Sequence, residues 1–465
     1  MGNRRIEISS GQIEEQLDIC AQIRAMAGEK RLAMVDTYGC QQNEADSEQL
    51  RGYLFAMGYG QTSDENQADI VVINTCAVRE HAEMRVLGNI GALTHTKKEN
   101  PDQIIVVCGC MAAEKNIVEK IKKSYGIVDL MFAPSELWRF PELLKTVIEG
   151  KRRVFELGGD ATVAEGIPHL RTDGVKAWLS VMNGCNNFCT YCIVPYTRFR
   201  ERSRRPESII AEARELVSQG YREITLLGQN VNSYGNDLDC GVSFAQLIRD
   251  IDAIDGDFVI RFMTSHPKDA TEELFAAMRD CKKCEKHLHL PLQSGSDRIL
   301  KAMNRRYDSA KYLGLVDKLR EYIPDVVLTT DIIVGFPGET DEDFEDTMRV
   351  VERVRYDAMF TFIYSKRAGT PAAAMDDPFT REEKQLHFDR LIEVQNAISE
   401  EKHGAYIGKT ERVLIDGRDR EKGVLTGRTI GGRLVRVPAD DSLIGHFAGV
   451  EITDCNTWAL RGKLV

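Results

Sequence analysis

Short runs rich in β-branched and other apolar residues alternate with helix-like stretches over residues 31–149. Each run is long enough for one buried strand, and each is followed by a segment with helical periodicity. This alternation is typical of βαβ units, so it predicts a small parallel α/β domain. The runs are Ala33 to Thr37, Ile70 to Asn74 and Gln103 to Val107.

The alternation resumes over residues 171–403, where β-rich runs are again separated by helical segments. Parallel strands that are joined by helices can form an open barrel, and we predict a partial (β/α)6 barrel. Residues 150–170 mix charge, glycine and proline without periodicity and are predicted to form a linker. Residues 1–30 are left as an N-terminal extension. The strand runs are Ala177 to Met182, Glu223 to Leu227, Val259 to Met263, His287 to Leu292, Val326 to Val334 and Met359 to Tyr364.

Residues 404–465 differ in character, because their β-rich runs are short, interrupted by glycine and without an amphipathic helix. Such a segment is typical of a small antiparallel β-barrel, a fold that often binds nucleic acid. The fold class predicted for the whole chain is therefore α/β, with a β-barrel at the C-terminal end.

The composition is that of a globular protein, which we expect to be a cytoplasmic monomer without membrane contact. Hydrophobic residues make up 43% and charged residues 29% of the 465 residues, and no apolar run reaches the roughly 20 residues that span a bilayer. The net charge of −11 requires that any nucleic acid be held by local basic patches. Among the 12 cysteines, the clustered ones are expected to act as metal ligands in a reducing compartment rather than to form disulfides.

One cysteine cluster stands directly after a predicted strand, in Cys185-Asn-Asn-Phe-Cys189-Thr-Tyr-Cys192. Three thiolates in one tight loop can bind three irons of a four-iron cluster, and the fourth iron is then open to another ligand. A zinc site or incidental cysteines are the alternative. Zinc loops favour paired cysteine or histidine ligands with a fourth ligand nearby, which this stretch lacks.

A second set of cysteines is widely spaced in the sequence but shares a position in the predicted fold. Cys40, Cys76 and Cys110 each follow a predicted parallel strand, and loops that leave the same edge of a parallel sheet converge. They could therefore bind a second cluster. On spacing alone, three ordinary half-buried cysteines are an equally good interpretation. The remaining cysteines, including the Cys281 and Cys284 pair, are left without a function.

The chain resembles a known family in three modules, which occur in that family's order. The cysteine loop resembles the signature of the radical S-adenosylmethionine (SAM) superfamily. The segments around Cys40, Cys76 and Cys110 resemble the N-terminal domain of the methylthiotransferases, and residues 404–465 resemble the TRAM domain of RNA-modifying enzymes. The motifs that carry the resemblance are Tyr38-Gly-Cys-Gln-Gln-Asn43, Glu44-Ala-Asp-Ser-Glu48, Asn74-Thr-Cys-Ala-Val-Arg79, Pro195-Tyr-Thr-Arg198, Leu227-Gly-Gln-Asn-Val-Asn-Ser-Tyr-Gly235 and Leu425-Thr-Gly-Arg-Thr429.

The resemblance is closest to the branch of the family that acts on N6-isopentenyladenosine at position 37 of transfer RNA. It implies transfer of a methylthio group to C2 of that base, with SAM and two [4Fe-4S] clusters as cofactors. An external electron donor and a sulfur source are implied as partners, besides the tRNA. The alternatives are methylthiolation of threonylcarbamoyladenosine or of a ribosomal-protein aspartate, and, in another class, a non-catalytic metal-cluster protein that binds RNA.

The resemblance also assigns individual residues. Cys185, Cys189 and Cys192 are implied to hold the catalytic cluster, and Cys40, Cys76 and Cys110 the auxiliary cluster. In one departure, Phe199 stands where the family usually has glycine, so the backbone there is expected to be less permissive. The implied SAM contacts are Tyr191, Gly228, Gln229, Asn230, Gln293, Ser294 and Asp331. The expected phosphate contacts are Arg198, Arg200, Arg204, Arg428, Arg433 and Arg436.

Overall fold

The computed structural model of the chain describes residues 5–26, 31–77, 80–150 and 153–465. Val78 and Arg79 of the Cys76 motif lie outside the described residues, as do parts of the predicted extension (1–4 and 27–30) and linker (151–152). The described residues form two compact units. The first holds the residues up to Thr172 together with Met182–Asn186 and Cys192–Arg204, and the second holds Asp173–Val181, Asn187–Tyr191 and Arg205–Val465.

The N-terminal region is an α/β domain around one parallel sheet. Its strands run in the order β3-β2-β4-β5-β6-β7, with every neighbouring pair parallel. The elements are β1 Arg5–Ile8, α1 Ser10–Met26, β2 Arg31–Tyr38, α2 Gln41–Ala56, β3 Tyr59–Gln61, β4 Ile70–Thr75, α3 Glu80–Ala92, α4 Thr94–Glu99, β5 Ile104–Gly109, α5 Lys115–Ser124, β6 Leu130–Phe132, α6 Phe140–Gly150, β7 Val154–Glu156 and β8 Ala161–Ala164.

Strand β4 shows why this sheet is a buried layer. All of its residues are buried, as expected for a parallel strand covered on both faces. Ile70 and Val72 belong to the core on one face of the sheet, and Val71 and Ile73 belong to the core on the other. The predicted parallel α/β domain is present, and the loops that follow β2, β4 and β5 leave the same edge from three adjacent strands.

The predicted extension and linker contribute regular structure to the first unit. Strand β1 pairs in parallel with β8 over Arg5–Ile8, and β7 adds to the edge of the sheet beside β6. Ile8, Ile13 and Ile23 enter the same core as the sheet. Strands β1, β7 and β8 are only three or four residues long, which is too short for a periodic signal in the sequence.

The central region is a partial barrel of parallel strands. Strands β9, β12 and β13 form one sheet and β14, β15 and β16 another, and a parallel bridge between Ile260 and Cys284 links the two. The elements are β9 Lys176–Ser180, β10 Met182–Asn183, α7 Val194–Thr197, β11 Arg202–Ser203, α8 Pro206–Ser218, β12 Glu223–Leu227, α9 Phe244–Asp252, β13 Val259–Phe262, α10 Glu272–Asp280, β14 His287–His289, α11 Asp297–Ala302, α12 Ser309–Tyr322, β15 Val327–Val334, α13 Asp341–Val354, β16 Ala358–Ile363 and α14 Arg381–Gly404.

The C-terminal region is a small closed barrel with strand order β17-β18-β19-β21-β20. Its neighbours are antiparallel except for β19 and β21, which pair in parallel. The predicted α/β fold class with a C-terminal β-barrel is confirmed. Among the described helices, none is long and apolar enough to cross a membrane. The strands are β17 Thr410–Arg418, β18 Val424–Thr429, β19 Leu434–Pro438, β20 Phe447–Cys455 and β21 Leu460–Leu464.

Candidate metal centre and active site

Cys40, Cys76 and Cys110 converge at the edge of the N-terminal sheet. Cys40 is the residue before α2, Cys76 follows β4, and Cys110 begins a short 3-10 turn after β5. The side chains of Cys40 and Cys76 are hydrogen-bonded, and the Cys40 and Cys110 thiols interact electrostatically. These three cysteines therefore lie at one edge of the sheet, and their role as ligands of one cluster stays a prediction.

The environment of these thiols favours a thiolate at one of them. The hydrogen bond with Cys76, followed by the Arg198 guanidinium, lowers the pKa of the Cys40 thiol to about 6, although desolvation opposes this. Burial raises the pKa of the Cys110 thiol, an effect that Arg198 partly offsets. Thiolate is the form that binds metal, so the donor set fits an iron-sulfur cluster.

A buried network of amides holds the loops that carry these cysteines. The Asn43 amide donates to Asn74 Oδ1 at 3.0 Å, and the Asn74 amide donates to the Asn43 carbonyl at 2.8 Å and to Ser47 Oγ at 2.9 Å. Both asparagines are fully buried. Asn43 and Asn74 lie within the quoted motifs, but this positioning role was not predicted from the sequence.

Two glycines that precede a predicted ligand have no room for a side chain. Gly109 has φ +91°, and a Cβ there would lie 2.3 Å from the Thr75 carbonyl oxygen. Gly184 has φ +81°, and a Cβ there would lie 2.0 Å from the Arg200 carbonyl oxygen. Only glycine accepts both this backbone and this approach, so each glycine fixes the path into the cysteine that follows.

The Cys185–Cys192 loop is divided between the two units. In the first unit, the Cys185 amide donates to the Phe199 carbonyl at 3.1 Å, next to the β10–β11 pair. In the second unit, Arg305 Nη1 donates to Cys189 Sγ at 3.3 Å. Cys185 and Cys189 are buried and Cys192 is half-buried.

Neither cysteine set is arranged as a site for one metal ion. Among the described residues, no three His, Cys, Asp or Glu side chains are grouped so that they could hold a single ion. In a four-iron cluster each cysteine binds a different iron, so its ligands need not meet at one point.

Three of the seven predicted SAM contacts lie where a barrel strand ends, at the usual position of barrel active sites. Gly228, Gln229 and Asn230 directly follow β12. Asn230 Nδ2 donates to Asp269 Oδ2 at 2.8 Å. Tyr191 packs against an apolar cluster that includes Ile333 of β15. These side chains all belong to the second unit.

The remaining predicted SAM contacts lie on or beside β14 and β15. Gln293 has φ +72° and forms a parallel bridge with Ile332. Ser294 is fully buried and its hydroxyl accepts the Ser296 amide at 3.2 Å, so it is already engaged at the start of α11. Asp331 Oδ2 lies 3.5 Å from His289 Nε2.

An exposed aromatic face on β16 was not predicted. Phe360 and Phe362 are 48% and 42% exposed, which is unusual for phenylalanine in a strand. Phe360 is the register partner of Asp331, and its ring makes an edge contact with His289 at 5.8 Å. The two rings therefore lie on the same face as the Asp331 and His289 side chains.

Two of the arginines predicted to bind phosphate are buried in ion pairs. Arg198 is 3% exposed and pairs with Asp46 at 2.6 Å, and Arg433 is 7% exposed and pairs with Asp357. Neither position is open to a phosphate, because a buried guanidinium that has a carboxylate partner is already satisfied. We therefore assign both residues structural or positioning roles.

The other predicted phosphate contacts are at least partly accessible. Arg204 pairs with Glu165 at 2.6 Å, with 15% of its side chain exposed. Arg428 and Arg436 lie on β18 and β19 of the C-terminal barrel, with 42% and 36% of their side chains exposed. Arg200 is half-buried. These four positions remain proposals for phosphate contacts.

Three segments match known protein families. Residues 179–351 match the radical SAM superfamily, residues 32–133 match the uncharacterized protein family UPF0004, and residues 404–465 match the TRAM domain. Fold and site thus define a radical SAM protein with an additional cysteine-bearing α/β domain and a TRAM barrel. Membership of this superfamily gives it an iron-sulfur cluster and SAM as cofactors.

Full-length relatives identify the family more narrowly. The chain is 51% identical over 455 residues to the tRNA-2-methylthio-N(6)-dimethylallyladenosine synthase of Acetivibrio thermocellus, covering 97% of this chain and 95% of that one. It is 50% identical over 463 residues to the enzyme of that name from a Thermoanaerobacter species, covering 99% and 98%. The chain belongs to the family of tRNA-2-methylthio-N(6)-dimethylallyladenosine synthases, which confirms the resemblance carried by its motifs.

Solved structures with a similar fold are radical SAM enzymes. The radical SAM methyltransferase TsrM from Kitasatospora setae superimposes with a TM-score of 0.56 at 17% identity, covering 74% of this chain and 77% of that one. The cobalamin-dependent radical SAM enzyme OxsB gives a TM-score of 0.52 at 15% identity, covering 80% and 56%. At these identities the comparison supports the fold alone.

Proposed function

We propose that this chain transfers a methylthio group to C2 of N6-dimethylallyladenosine at position 37 of tRNA. The observation that carries the proposal is the convergence of Cys40, Cys76 and Cys110 in a chain that also has the radical SAM cysteine loop. A single cluster would suffice for cleavage of SAM. A second thiol set, built into a separate domain, is what sulfur insertion requires in addition.

Two [4Fe-4S] clusters are part of this proposal. Cys185, Cys189 and Cys192 would hold the cluster whose open iron binds SAM, and Cys40, Cys76 and Cys110 would hold the auxiliary cluster. When bound, these groups and SAM supply the one-electron cleavage, the sulfur and the methyl group. The chain's own contribution is to position the thiols and to orient the cofactor and the base.

The barrel residues around Asp331 suit the cofactor and the substrate base. Amide and carboxylate side chains at the strand ends can hold the methionine and ribose parts of SAM. The exposed rings of Phe360 and Phe362 offer an apolar surface for the adenine and its dimethylallyl group, because a flipped base stacks on aromatic side chains. This surface is our candidate for the base-binding site.

Several finer features follow from the proposed reaction. The cluster must receive electrons from an external donor, and sulfur lost to product must be replaced by a sulfur source. The place of action is the cytoplasm, where tRNA is modified. We propose that the chain acts as a monomer, with Arg200, Arg204, Arg428 and Arg436 contacting tRNA phosphates.

Cysteine variants separate the two proposed clusters. Replacing Cys185, Cys189 and Cys192 with alanine is expected to abolish formation of deoxyadenosine from SAM. Replacing Cys40, Cys76 and Cys110 is expected to leave deoxyadenosine formation intact but to stop methylthio product. Cys240→Ala is the matched control, because Cys240 is exposed and belongs to neither set.

Two results would contradict this assignment. Methylthiolation at the wild-type rate by the Cys76→Ala variant would show that the reaction does not need the proposed auxiliary cluster. A chain that binds iron and tRNA but never forms deoxyadenosine would be a non-catalytic RNA-binding protein.

A further inference from the structure

In each cysteine set, a buried arginine donates a hydrogen bond to a cysteine sulfur. Arg198 Nε donates to Cys110 Sγ at 3.1 Å, and Arg305 Nη1 donates to Cys189 Sγ at 3.3 Å. The arginines are 3% and 8% exposed. Burying a guanidinium is costly unless its N–H groups have partners, so the N–H that donates to sulfur is part of what satisfies each arginine.

Both arginines are held in place by their remaining nitrogens. Arg198 donates to Asp46 Oδ2 at 2.6 Å and to Asn183 Oδ1 at 3.2 Å. Arg305 donates to the Tyr307 hydroxyl at 2.8 Å and to the Pro291 carbonyl at 2.9 Å. The N–H that faces sulfur is therefore fixed, so its direction does not depend on a mobile side chain.

We propose that Arg198 and Arg305 are positioning residues that stabilise the reduced states of the two clusters, each through one cysteine sulfur. This rests on the proposed function, because both clusters are part of that proposal. One-electron reduction by an external chemical reductant adds negative charge to a cluster. A guanidinium N–H directed at a bound sulfur stabilises that charge, strongly so when it is buried, and thereby raises the reduction potential.

The two arginines differ in how much of their charge is neutralised nearby. Arg198 is paired with the Asp46 carboxylate, whereas Arg305 is held by neutral oxygens. Arg305 should therefore stabilise its cluster more strongly than Arg198 does. It also follows that removing the Asp46 charge, while Arg198 stays in place, should make the auxiliary cluster easier to reduce.

The test measures each potential in a protein that carries one cluster only. The auxiliary cluster is studied with Cys185, Cys189 and Cys192 replaced by alanine, and the other cluster with Cys40, Cys76 and Cys110 replaced. After anaerobic reconstitution, redox titration followed by electron paramagnetic resonance gives each midpoint potential. Iron content and the spectrum of the intact wild-type chain are recorded in parallel.

Arg305→Gln should lower the equilibrium constant for reduction by about tenfold, a shift of about 59 mV to lower potential for one electron. Arg198→Gln should shift the auxiliary potential in the same direction by less, and Asp46→Asn should shift it upward. Arg305→Lys and Arg198→Lys should each fall between wild type and glutamine. Arg153→Gln and Arg320→Gln are controls, because these arginines donate to backbone carbonyls distant in sequence from both cysteine sets.

Unchanged potentials in Arg305→Gln and Arg198→Gln, at full iron content, would overturn the proposal. If a glutamine variant does not retain its irons, the lysine variants and Asp46→Asn provide the test. Potentials that stay at the wild-type value in these variants would overturn the proposal, and so would potentials that all move in one direction. About four irons in the intact wild-type chain would instead count against the two proposed clusters. About eight irons in the wild-type chain, together with unchanged potentials in the arginine variants, would overturn the role of the arginines but leave the proposed function intact.

Discussion

At the scale of single residues, Phe199 has a strained backbone next to the candidate site. Its φ is +63°, in the left-handed region that favours glycine, and its carbonyl accepts the Cys185 amide. The sequence departs from the family's usual glycine at this position, and the structure shows that the chain retains the glycine-like conformation nonetheless. Strain of this kind costs about 1 kcal/mol.

A pair of variants separates this strain from the contacts of the phenyl ring. Phe199→Gly and Phe199→Ala both remove the ring, but only glycine relieves the backbone. Phe199→Gly should therefore be more stable than Phe199→Ala by about 1 kcal/mol, measured as the free energy of unfolding in urea. Equal stability of the two variants would show that the backbone is not strained at this residue.

A buried carboxyl makes stability depend on pH near neutrality. Burial raises the pKa of Glu339 from 4.5 to about 7, although the Gly335 amide donates to this carboxyl. The pKa is higher in the folded state, so ionisation favours unfolding. The contribution of this carboxyl to stability is fully present below pH 4.5 and is lost as the pH rises through about 7, by up to about 3 kcal/mol.

Glu339→Gln should remove this dependence on pH. The unfolding free energy of the wild type relative to that of the variant, measured from pH 5 to 8, should fall as the pH rises. Glu342→Gln is the control, because Glu342 is exposed at the start of α13. A difference between the wild type and Glu339→Gln that stays constant over this range would contradict the raised pKa.

At the scale of elements, strand β16 combines a structural role with the binding role that we propose. Helix α14 packs against it, and the exposed side chains alternate along it, with Phe360 and Phe362 on the face shared with Asp331. An edge strand with exposed aromatic residues is a risk for aggregation unless another molecule covers them. On our account the substrate base covers them during the reaction.

Phe360→Ala is expected to weaken binding of the modified base. Loss of one stacking partner should raise KM for dimethylallylated tRNA by about tenfold, corresponding to about 1.4 kcal/mol. The rate of deoxyadenosine formation without tRNA should not change. Leu386→Ala, an exposed apolar residue on α14, is the control. An unchanged KM for the Phe360 variant would exclude this face as the base-binding surface.

Elements and ligands were predictable from the sequence to different degrees. Glu223–Leu227 was predicted with its observed bounds, and the buried runs of β4 and β15 were found because their strands are long and apolar. The six cysteines were predicted as cluster ligands from spacing and resemblance, and this assignment stays a prediction. Arg198 and Arg305 were missed as partners of sulfur, because the residues in each contact lie 88 and 116 positions apart.

At the scale of the whole molecule, the C-terminal barrel is joined to the central barrel within the second unit. Arg261 Nη2 donates to the Thr429 carbonyl at 3.1 Å, and Arg433 pairs with Asp357 in a buried position. These contacts fix the module that is proposed to bind RNA to the barrel that is proposed to bind SAM. With a net charge of −11, tRNA binding then depends on local arginines and should weaken steeply with salt.

The most direct test is to combine anaerobic reconstitution, an iron and sulfide count, and mass spectrometry of tRNA after turnover with SAM and a reductant. We expect about eight irons per chain, four for each cysteine set, and a methylthio group on dimethylallylated adenosine. tRNA without the dimethylallyl group is the matched control and should remain unmodified. About four irons without methylthio product, or product only on threonylcarbamoyladenosine, would contradict the proposed function.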